Sequence, residues 1–327
     1  MNRLFTAILF AALVIMTASC AGSGSQSLEK ISFVLEWEPN TNHTGVYAAI
    51  ANGYYEDAGL EVKVLTPPET GASAFVASGK AQFGVDVQEG LGIELTLPDP
   101  LPITAVAAII SNNNSGIISL KENGIDSFSK LDGKTYASWE APAEVAILKQ
   151  AIRDSGGNPD SLITVPAPAT DAISMIKTGL VDTVWVYENW DVVAADLSGL
   201  AYNYIKFADA SPVLDYYTPL IIANDDFLKE KPDVAKKFVK ATAAGYEYAI
   251  ANPEEAAQIL VSAVPELPLD FIIASQELLS FTYASPGKPW GVIDEARWGA
   301  FYSWMHEQGI IPEALGSKGF TNEFLLP

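Results

Sequence analysis

From residue 31 onward, short apolar stretches with strand-like alternation are followed by segments with helical periodicity. The first series predicts strands and intervening helices, in chain order, over residues 31–35 (strand), 45–58 (helix), 61–65 (strand), 70–77 (helix) and 82–87 (strand). Gly59 ends the first helix, and the pair Ser78-Gly79 ends the second. This β-α-β-α-β order predicts a mostly parallel sheet with helices on both faces.

The same order recurs later in the chain. The second series predicts strands over 135–138, 162–165 and 183–187, with helices over 142–153 and 171–177 between them. Beyond residue 223 the pattern becomes helical, over residues 225–245, 253–263 and 270–279. We therefore expect an α/β protein with two lobes and a ligand cleft between them. Lobe 1 is expected to contain residues 28–110 and 219–327, and lobe 2 residues 111–218.

The N-terminus predicts export. Arg3 precedes an apolar run over residues 4–16, and small residues lead to Cys20. A permanent membrane helix needs about 20 apolar residues, so residues 1–19 are interpreted as a cleaved signal peptide. Cys20 is the only cysteine and stands where bacterial lipoprotein signals place the acylated residue. The alternative is an ordinary signal with an incidental cysteine, because Thr17 replaces the more usual leucine.

The polar residues change the picture in two ways. Residues 20–27 are small and polar, as expected of a lipidated cysteine followed by a flexible tether. The formal net charge is −21, and removing residues 1–19 with their single Arg3 gives −21 − 1 = −22. This charge disfavours nucleic acid and anionic membrane surfaces as partners. The expected location is the bacterial cell membrane, on its periplasmic or extracellular face, through the N-terminal lipid.

Few residue types are available for catalysis. The chain has two histidines and no thiol besides Cys20, which excludes a Cys/His nucleophile. No Gly-rich phosphate loop with a following lysine appears, and no spacing of His, Cys and Asp indicates a metal. We expect no cofactor and no metal. A remote alternative is an exported enzyme that uses Glu188 and His43 as its general base pair.

Ligands of open parallel sheets bind outside the carboxyl ends of the strands, so residues at predicted strand ends are the site candidates. We expect ligand contacts from residues Trp37, Asn40, His43, Asp86, Gln88, Ser115, Trp139, Glu140, Tyr187, Glu188 and Tyr217. Trp37 offers a flat face for stacking, and amide side chains can hydrogen-bond a polar ligand. Alternatively, Thr41 or Asn42 caps a helix and Trp37 fills the core.

Glu188 is the candidate for recognising the edge of a ring. A carboxylate at this position can accept two parallel hydrogen bonds from an amidine-like edge, as in a 4-aminopyrimidine. The alternative is that Glu188 pairs with a nearby lysine or lies in solvent.

Several segments together resemble the NMT1/THI5-like family. They are VLEWEPNTNHTGVYAAIANGYYEDAGLEV, ASGKAQFGV, TAVAAII, SGIISLKENGI and DYYTPLIIANDDFL. The sequence is most similar to the bacterial branch that serves ABC importers of thiamine-pyrimidine precursors such as formylaminopyrimidine, with a riboflavin-binding branch nearby. The resemblance implies a type II periplasmic-binding-protein-like fold that closes on a planar heteroaromatic ligand. It also implies an ABC permease and its ATPase subunit as partners.

The eukaryotic branch of this family contains enzymes that make the pyrimidine. Those enzymes carry a lysine for pyridoxal phosphate and a cysteine-rich iron motif. This chain has Asp86 at the lysine position, Gly90 where a histidine would follow, and LDYYT over residues 214–218 instead of the cysteines. We therefore expect a solute-binding lipoprotein for a thiamine-precursor pyrimidine. Riboflavin is the alternative ligand, since its ring also stacks on Trp and Tyr and its imide N–H could donate to Glu188.

Overall fold

The computed structural model describes residues 27–167 and 171–326. The predicted signal peptide, Cys20 and most of the predicted tether lie outside these residues. Within the described ranges ten strands form two sheets, and in chain order they are β1 (Glu29–Val34), β2 (Leu60–Leu65), β3 (Phe83–Asp86), β4 (Ile103–Ala108), β5 (Ser115–Leu120), β6 (Thr135–Ser138), β7 (Ile163–Pro166), β8 (Thr183–Tyr187), β9 (Tyr202–Lys206) and β10 (Leu220–Asn224).

The two sheets have the same plan. The first sheet has the order β2-β1-β3-β10-β4, and the second has the order β7-β6-β8-β5-β9. In the first, β1 runs parallel to β2 and β3, whereas β10 is antiparallel to both of its neighbours. In the second, β5 is the antiparallel strand in the matching place. Each sheet is therefore mostly parallel, and the predicted fold class is confirmed.

Helices cover both sheets. They are α1 (Thr44–Ala51), α2 (Tyr54–Asp57), α3 (Ala72–Ala77), α4 (Gln88–Glu94), α5 (Pro142–Asp154), α6 (Ala172–Lys177), α7 (Val193–Leu197), α8 (Phe207–Ala210), α9 (Asp225–Glu230), α10 (Pro232–Ala251), α11 (Pro253–Ala263), α12 (Leu269–Ser280) and α13 (Glu295–Glu307). Within the residues described, no helix combines the length and the apolar character that crossing a bilayer requires.

Two predicted helices are each divided in the structure. The helix expected over residues 45–58 is interrupted at Gly53, whose φ of 75° lies in the left-handed region. The helix expected over 225–245 breaks at Lys231 because Pro232 begins a new helix, in which its missing N–H costs nothing at the first position. A periodic apolar pattern continues through such breaks, so it does not reveal them.

The first sheet packs against α10 through aromatic rings. Phe83 of β3 stacks on Phe238 of α10 with ring centroids 3.9 Å apart, and Tyr55 stacks on the same ring at 5.4 Å. All three side chains are buried. Such burial contributes about 2 kcal/mol for each side chain, so this stack fixes the frame from which the loops after β1 and β3 extend.

The chain passes between the sheets twice, after β4 and before β10, and Arg297 of α13 contacts both passages. Its guanidinium donates to the Ser111 carbonyl at 2.7 Å and to the Tyr216 carbonyl at 3.3 Å. It also lies 4.0 Å above the ring of Tyr217. Because a guanidinium has several donors in a fixed plane, this one side chain can bind both passages and hold them together.

Candidate ligand-binding cleft

A cavity of about 340 Å³ opens where the carboxyl ends of strands from both sheets meet. This volume lies within the usual range for small-molecule sites. Its walls come from the segments that follow β1, β3, β6 and β8 and from the passage into β10. The lining residues are Glu36, Trp37, Asn40, Asn42, Val87, Trp139, Trp185, Tyr187, Asn189, Trp190, Asp191, Thr218 and Pro219.

Four tryptophans and one tyrosine dominate this lining. Trp37 and Trp190 meet edge to face with ring centroids 6.4 Å apart, and Trp139 and Trp185 do so at 5.4 Å. Trp37 is 55% exposed and Trp139 is 45% exposed, which is unusual for such large apolar rings. Accessible aromatic faces in a cavity suit a flat ligand, because its ring can stack on them.

The first carboxylate in the cavity is Glu36, and His43 orients it. The backbone N–H of Asn40 donates to Nδ1 of His43 at 3.1 Å. The imidazole proton must therefore be on Nε2, from which it is donated to Oε2 of Glu36 at 2.7 Å. Burial raises the pKa of Glu36, but hydrogen bonds from His43, Asn42 and the backbone hold it below its usual value. Glu36 is thus ionised and fixed in direction.

The second carboxylate, Asp191, reaches the cavity through an unusual turn. Residues Glu188–Val192 form one turn of π-helix directly after β8. This wider turn places Asp191 back beside Tyr187, and its carboxylate accepts the Tyr187 backbone N–H at 3.1 Å. Burial raises the pKa of Asp191 to about 6. Single π-turns are frequently found at functional sites.

The electrostatic character of the cavity is negative. Its lining, as far as the structure describes the chain, contains the carboxylates of Glu36 and Asp191 but no Lys, Arg or His side chain. Three amides and the hydroxyls of Tyr187 and Thr218 complete the polar part of the lining together with the indole N–H groups. The site is therefore built to accept hydrogen bonds from a ligand rather than to neutralise an anion.

Asn189 joins the π-turn to the loop after β1. Its amide donates to Oγ1 of Thr41 at 3.3 Å and to Oδ1 of Asn42 at 3.2 Å, and its oxygen accepts from Asn114 at 2.7 Å. Asn189 is 2% exposed, so these bonds are shielded from water. They hold the two carboxylate-bearing segments in one arrangement, because Glu36 and Asp191 lie on either side of this contact.

Residues 40–256 match the family described as NMT1/THI5 like. This match spans more than half of the chain. The chain belongs to the NMT1/THI5-like family. Both carboxylate-bearing segments belong to or adjoin this matched region, since Glu36 lies just before it and Asp191 inside it.

Three proteins illustrate the similarities of this family member. It is 26% identical over 313 residues to the formylaminopyrimidine-binding protein of Halalkalibacterium halodurans, covering 92% of this chain and 94% of that protein. It is 26% identical over 256 residues to a 4-amino-5-hydroxymethyl-2-methylpyrimidine phosphate synthase of Saccharomyces cerevisiae, covering 75% and 74%. The periplasmic aliphatic sulphonate binding protein SsuA of Escherichia coli superimposes with a TM-score of 0.69 at 14% identity, covering 90% and 92%. The last similarity places the fold among type II periplasmic binding proteins.

Four of the residues expected at the NMT1/THI5-like site line the cavity: Trp37, Asn40, Trp139 and Tyr187. Asn40 is only 4% exposed, and its side chain also caps the short 3-10 helix Thr41–His43 by accepting the Asn42 N–H at 2.8 Å. His43 is fully buried behind Glu36 and does not line the cavity. Its role in the structure is to position Glu36.

Glu188 does not line the cavity, contrary to the expectation from sequence. Its carboxylate pairs with Nζ of Lys206 at 2.7 Å, which is the alternative that the sequence left open. The reason is the π-turn, which begins at Glu188 and directs this side chain away while bringing Asp191 in. His43 and Glu188 also do not form the general base pair of the remote enzyme hypothesis, because His43 contacts Glu36 and Glu188 contacts Lys206.

The other expected contacts lie elsewhere. Asp86 is buried beside α4 with its carboxylate bonded to the Val87 N–H at 2.7 Å, and Gln88 accepts the Tyr217 N–H at 2.7 Å. Ser115 donates to Asn113 at 2.6 Å inside the protein. The Tyr217 hydroxyl accepts the Asp294 N–H at 2.9 Å, near the passage held by Arg297. Glu140 is exposed with a φ of 62° and borders a separate groove.

Sequence reasoning missed nine residues that line the cavity. They are Glu36, Asn42, Val87, Trp185, Asn189, Trp190, Asp191, Thr218 and Pro219. All except Val87, Thr218 and Pro219 lie in the two segments at the ends of β1 and β8 that contain expected contacts, so these segments were predicted but the orientations within them were not. The signal that could have found Asp191 is its separation from Tyr187 by four residues, about one helical turn.

Proposed function

We propose that this protein is the solute-binding component of an ABC importer and that its cleft binds an aminopyrimidine of the thiamine-precursor type. The observation that supports this most directly is the cavity itself, in which accessible tryptophan rings surround two hydrogen-bond-accepting carboxylates. The similarity along 92% of the chain to a protein named for formylaminopyrimidine binding supports the same ligand class.

In this proposal each part of the cavity recognises one part of the ligand. Trp37 and Tyr187 stack on the ring, while Glu36 accepts a hydrogen bond from the exocyclic amino group. Glu36 thus takes the role that the sequence suggested for Glu188. His43 holds the carboxylate in the plane that the ring must occupy.

The negative lining separates this ligand from the anions named for structurally similar proteins. SsuA is an aliphatic sulphonate binding protein, and a sulphonate in this cavity would be buried beside Glu36 and Asp191. Like charges a few ångströms apart repel by several kcal/mol at low dielectric. We therefore propose a ligand with donors rather than a sulphonate or another anion.

Transport requires that the ligand favour one arrangement of the protein. We propose that lobe 1 (28–110 and 219–327) and lobe 2 (111–218) close on the ligand and that the closed form docks on the permease. The ligand can shift this equilibrium only through contacts that differ between the open and closed forms. Glu36 and Asp191 follow strands of different sheets, so a ligand between them makes such contacts.

Export and lipid attachment complete the proposal. The signal peptide over residues 1–19 and acylation at Cys20 would anchor the protein at the membrane surface next to its permease. Labelling cells with a radioactive fatty acid should mark the wild-type protein and leave a Cys20→Ala variant unmarked. Equal labelling of both proteins would refute attachment at Cys20.

Binding rather than synthesis is the proposed activity, although some relatives are named synthases. Asp86 and the segment over 214–218 lack the lysine and cysteines that the resemblance assigns to the enzymes. No group of three His, Cys, Asp or Glu in the described part of the chain could hold a metal. Recovery of intact ligand after incubation, measured by mass spectrometry, is the expected result, whereas conversion to a new mass would contradict it.

Calorimetric titration of the mature protein tests the ligand class. Formylaminopyrimidine and aminomethylpyrimidine should bind, and a Trp37→Ala variant should weaken both by about 10-fold, since one stacked ring is worth about 1–1.5 kcal/mol. The Phe281→Ala variant is the matched control, because Phe281 is 83% exposed and lies outside the cavity. If only riboflavin binds, the ligand is a flavin and not a pyrimidine. If none of the three compounds produces heat, the proposed ligand class is wrong.

A further inference from the structure

We infer that the cleft binds its ligand as a cation held between Glu36 of the first sheet's loop and Asp191 of the second sheet's π-turn. This inference rests on the proposed function for the heteroaromatic nature of the ligand. It adds the charge of the bound species and a second carboxylate that contacts it.

Glu36 keeps its negative charge in the cavity because His43 does not neutralise it. Nδ1 of His43 accepts the Asn40 N–H, so the ring carries one proton, on Nε2, and is neutral. The other titratable groups that act on or are affected by Glu36 are Asp86, Tyr187 and Tyr246, and none of them is basic.

Asp191 also lacks a basic partner in the described part of the chain. Its hydrogen bond comes from the neutral backbone N–H of Tyr187. The titratable side chains that interact with it are Tyr187, Tyr204 and Asp171, which are acids. Lys206, which contacts the same π-turn, is paired with Glu188 outside the cavity.

Two ionised carboxylates in one closing cavity need compensation. Removing such charges from water without a positive partner costs several kcal/mol per ion. A neutral ligand would leave that cost in place, whereas a cation between Glu36 and Asp191 would offset it. Closure and ligand charge are therefore linked, because the closed cleft without a cation brings the two acids together.

The aromatic lining favours the same charge. Trp37, Trp139, Trp185 and Trp190 present ring faces and edges around the cavity, and a cation over a tryptophan face gains about 0.5–2 kcal/mol. Walls of aromatic rings combined with carboxylates are the chemistry that recognises organic cations. An aminopyrimidine meets this demand when its ring nitrogen is protonated.

The proton balance of this step is simple. Above the pKa of the free pyrimidine, the neutral ring takes one proton from the solvent as it binds, and that proton forms an N–H bond at the ring nitrogen. The new N–H then donates to a carboxylate, and the buffer supplies the proton. No oxidant, reductant or other reactant is needed.

Calorimetry with formylaminopyrimidine in two buffers of equal pH but different ionisation enthalpy measures this proton. We expect apparent binding enthalpies that differ in proportion to buffer ionisation, with uptake of close to one proton. Asp191→Asn and Glu36→Gln should each weaken binding by about 10- to 100-fold, as for loss of a charged hydrogen bond, and each should reduce proton uptake. Glu188→Gln, whose side chain is outside the cavity, should change neither.

The outcomes separate this inference from the proposed function. Tight binding of the pyrimidine with equal enthalpies in both buffers and an unaffected Asp191→Asn variant would overturn the cation while leaving the function intact. If neither pyrimidine binds, the proposed function fails, and 4-aminopyridine, a strongly basic ring, becomes the probe. Its binding would support the cationic site, whereas binding only of neutral riboflavin would refute it.

Discussion

Two groups of acids in this molecule differ in what surrounds them. Glu36 and Asp191 face the cavity, and each carboxylate accepts a hydrogen bond from a defined donor. Asp86, Glu89 and Glu94 lie behind β3 and along α4, where burial raises the pKa of Glu89 to about 7 and of Glu94 to about 9. Burial likewise raises the pKa of Asp86. At neutral pH the cleft acids are charged, because the pKa of Glu36 is lowered and burial raises that of Asp191 only to about 6, whereas Glu94 is neutral.

The comparison shows that acidic residues alone do not identify a site. In the cleft, a neutral histidine and a backbone N–H stabilise ionised carboxylates that remain reachable by a ligand. Behind β3, several acids lie close to one another in a region with little water, which lowers the free energy of the protonated form relative to the charged form. The net charge of −21 conceals this difference, since both groups count equally in it.

The largest expected effect tests the support of the cleft acids. His43→Ala should lower the free energy of unfolding by about 3 kcal/mol, because a fully buried ring and two hydrogen bonds are lost. Urea denaturation measures this change. His306→Ala is the matched control, since His306 is exposed and should cost less than about 1 kcal/mol. Equal losses in the two variants would remove the special role of His43.

The next effect is the acid limb of ligand binding. The pKa of Asp191, raised by burial to about 6, means that the ligand must displace a proton below this pH. While the free pyrimidine is neutral, the proton that its ring takes up should make the affinity rise by up to about 10-fold per pH unit as the pH falls toward about 6. Below about pH 6 the proton displaced from Asp191 cancels this gain, so the affinity should level off. Titrations across this range in wild type and Asp191→Asn give the measurement. A wild-type affinity that keeps rising with the same slope down to pH 5 would contradict the assigned role.

A smaller effect distinguishes the buried acids. The pKa of Glu94 rises from an ordinary 4.5 to about 9, so between these values the folded protein retains a proton that the unfolded chain loses. Its contribution to stability is complete below about pH 4.5 and declines as pH rises toward 9. Glu94→Gln should therefore raise the melting temperature at pH 9 by about 2–4 °C, as expected for about 1 kcal/mol in a chain of this size.

The control for that prediction is the same variant in acid. At pH 4 the melting temperatures of wild type and Glu94→Gln should coincide, because Glu94 is protonated in both states there. A constant offset at all pH values would show that the substitution acts through packing rather than through the proton.

The smallest expected effect concerns Glu188. Because its partner is Lys206 and both side chains are partly exposed, Glu188→Gln should change the free energy of unfolding by less than about 1 kcal/mol. Ligand affinity should stay within about twofold of wild type. A loss of affinity comparable to that of Asp191→Asn would return Glu188 to the site and contradict the orientation of the π-turn.

Much of the fold could be predicted from the sequence because periodicity follows burial. Strands β3 and β8 are runs that are buried on both faces, and β1, β3 and β8 all begin and end within a few residues of the predicted positions. The antiparallel places of β5 and β10 could not be predicted, since strand order depends on how the chain passes between the sheets. Apolar alternation contains no information on direction.

The site was predictable at the level of segments but less so at the level of side chains. Trp37 and Tyr187 follow from their position at strand ends. Glu188 and Asp191 could not be told apart, because a π-turn has no clear sequence signature and alternation stops being valid where the strand ends. Tyr217 was misplaced for a related reason, since Arg297, which covers its ring, comes from a helix 80 residues later in the chain (297 − 217 = 80).

The second sheet is one uninterrupted stretch of chain from β5 to β9, whereas the first sheet is completed only when the chain returns at β10. At the two ends of this excursion, the Ile109 N–H donates to the Pro219 carbonyl at 2.9 Å. Residues 111–218 can thus be described as an insert, and the residues on either side of them as its host. Replacing residues 111–218 by a short glycine-containing turn should leave a host that unfolds cooperatively in urea, and a non-cooperative transition would show that the host needs its insert. A folded host would accept other inserts, including a fluorescent reporter, at a junction already closed by a hydrogen bond.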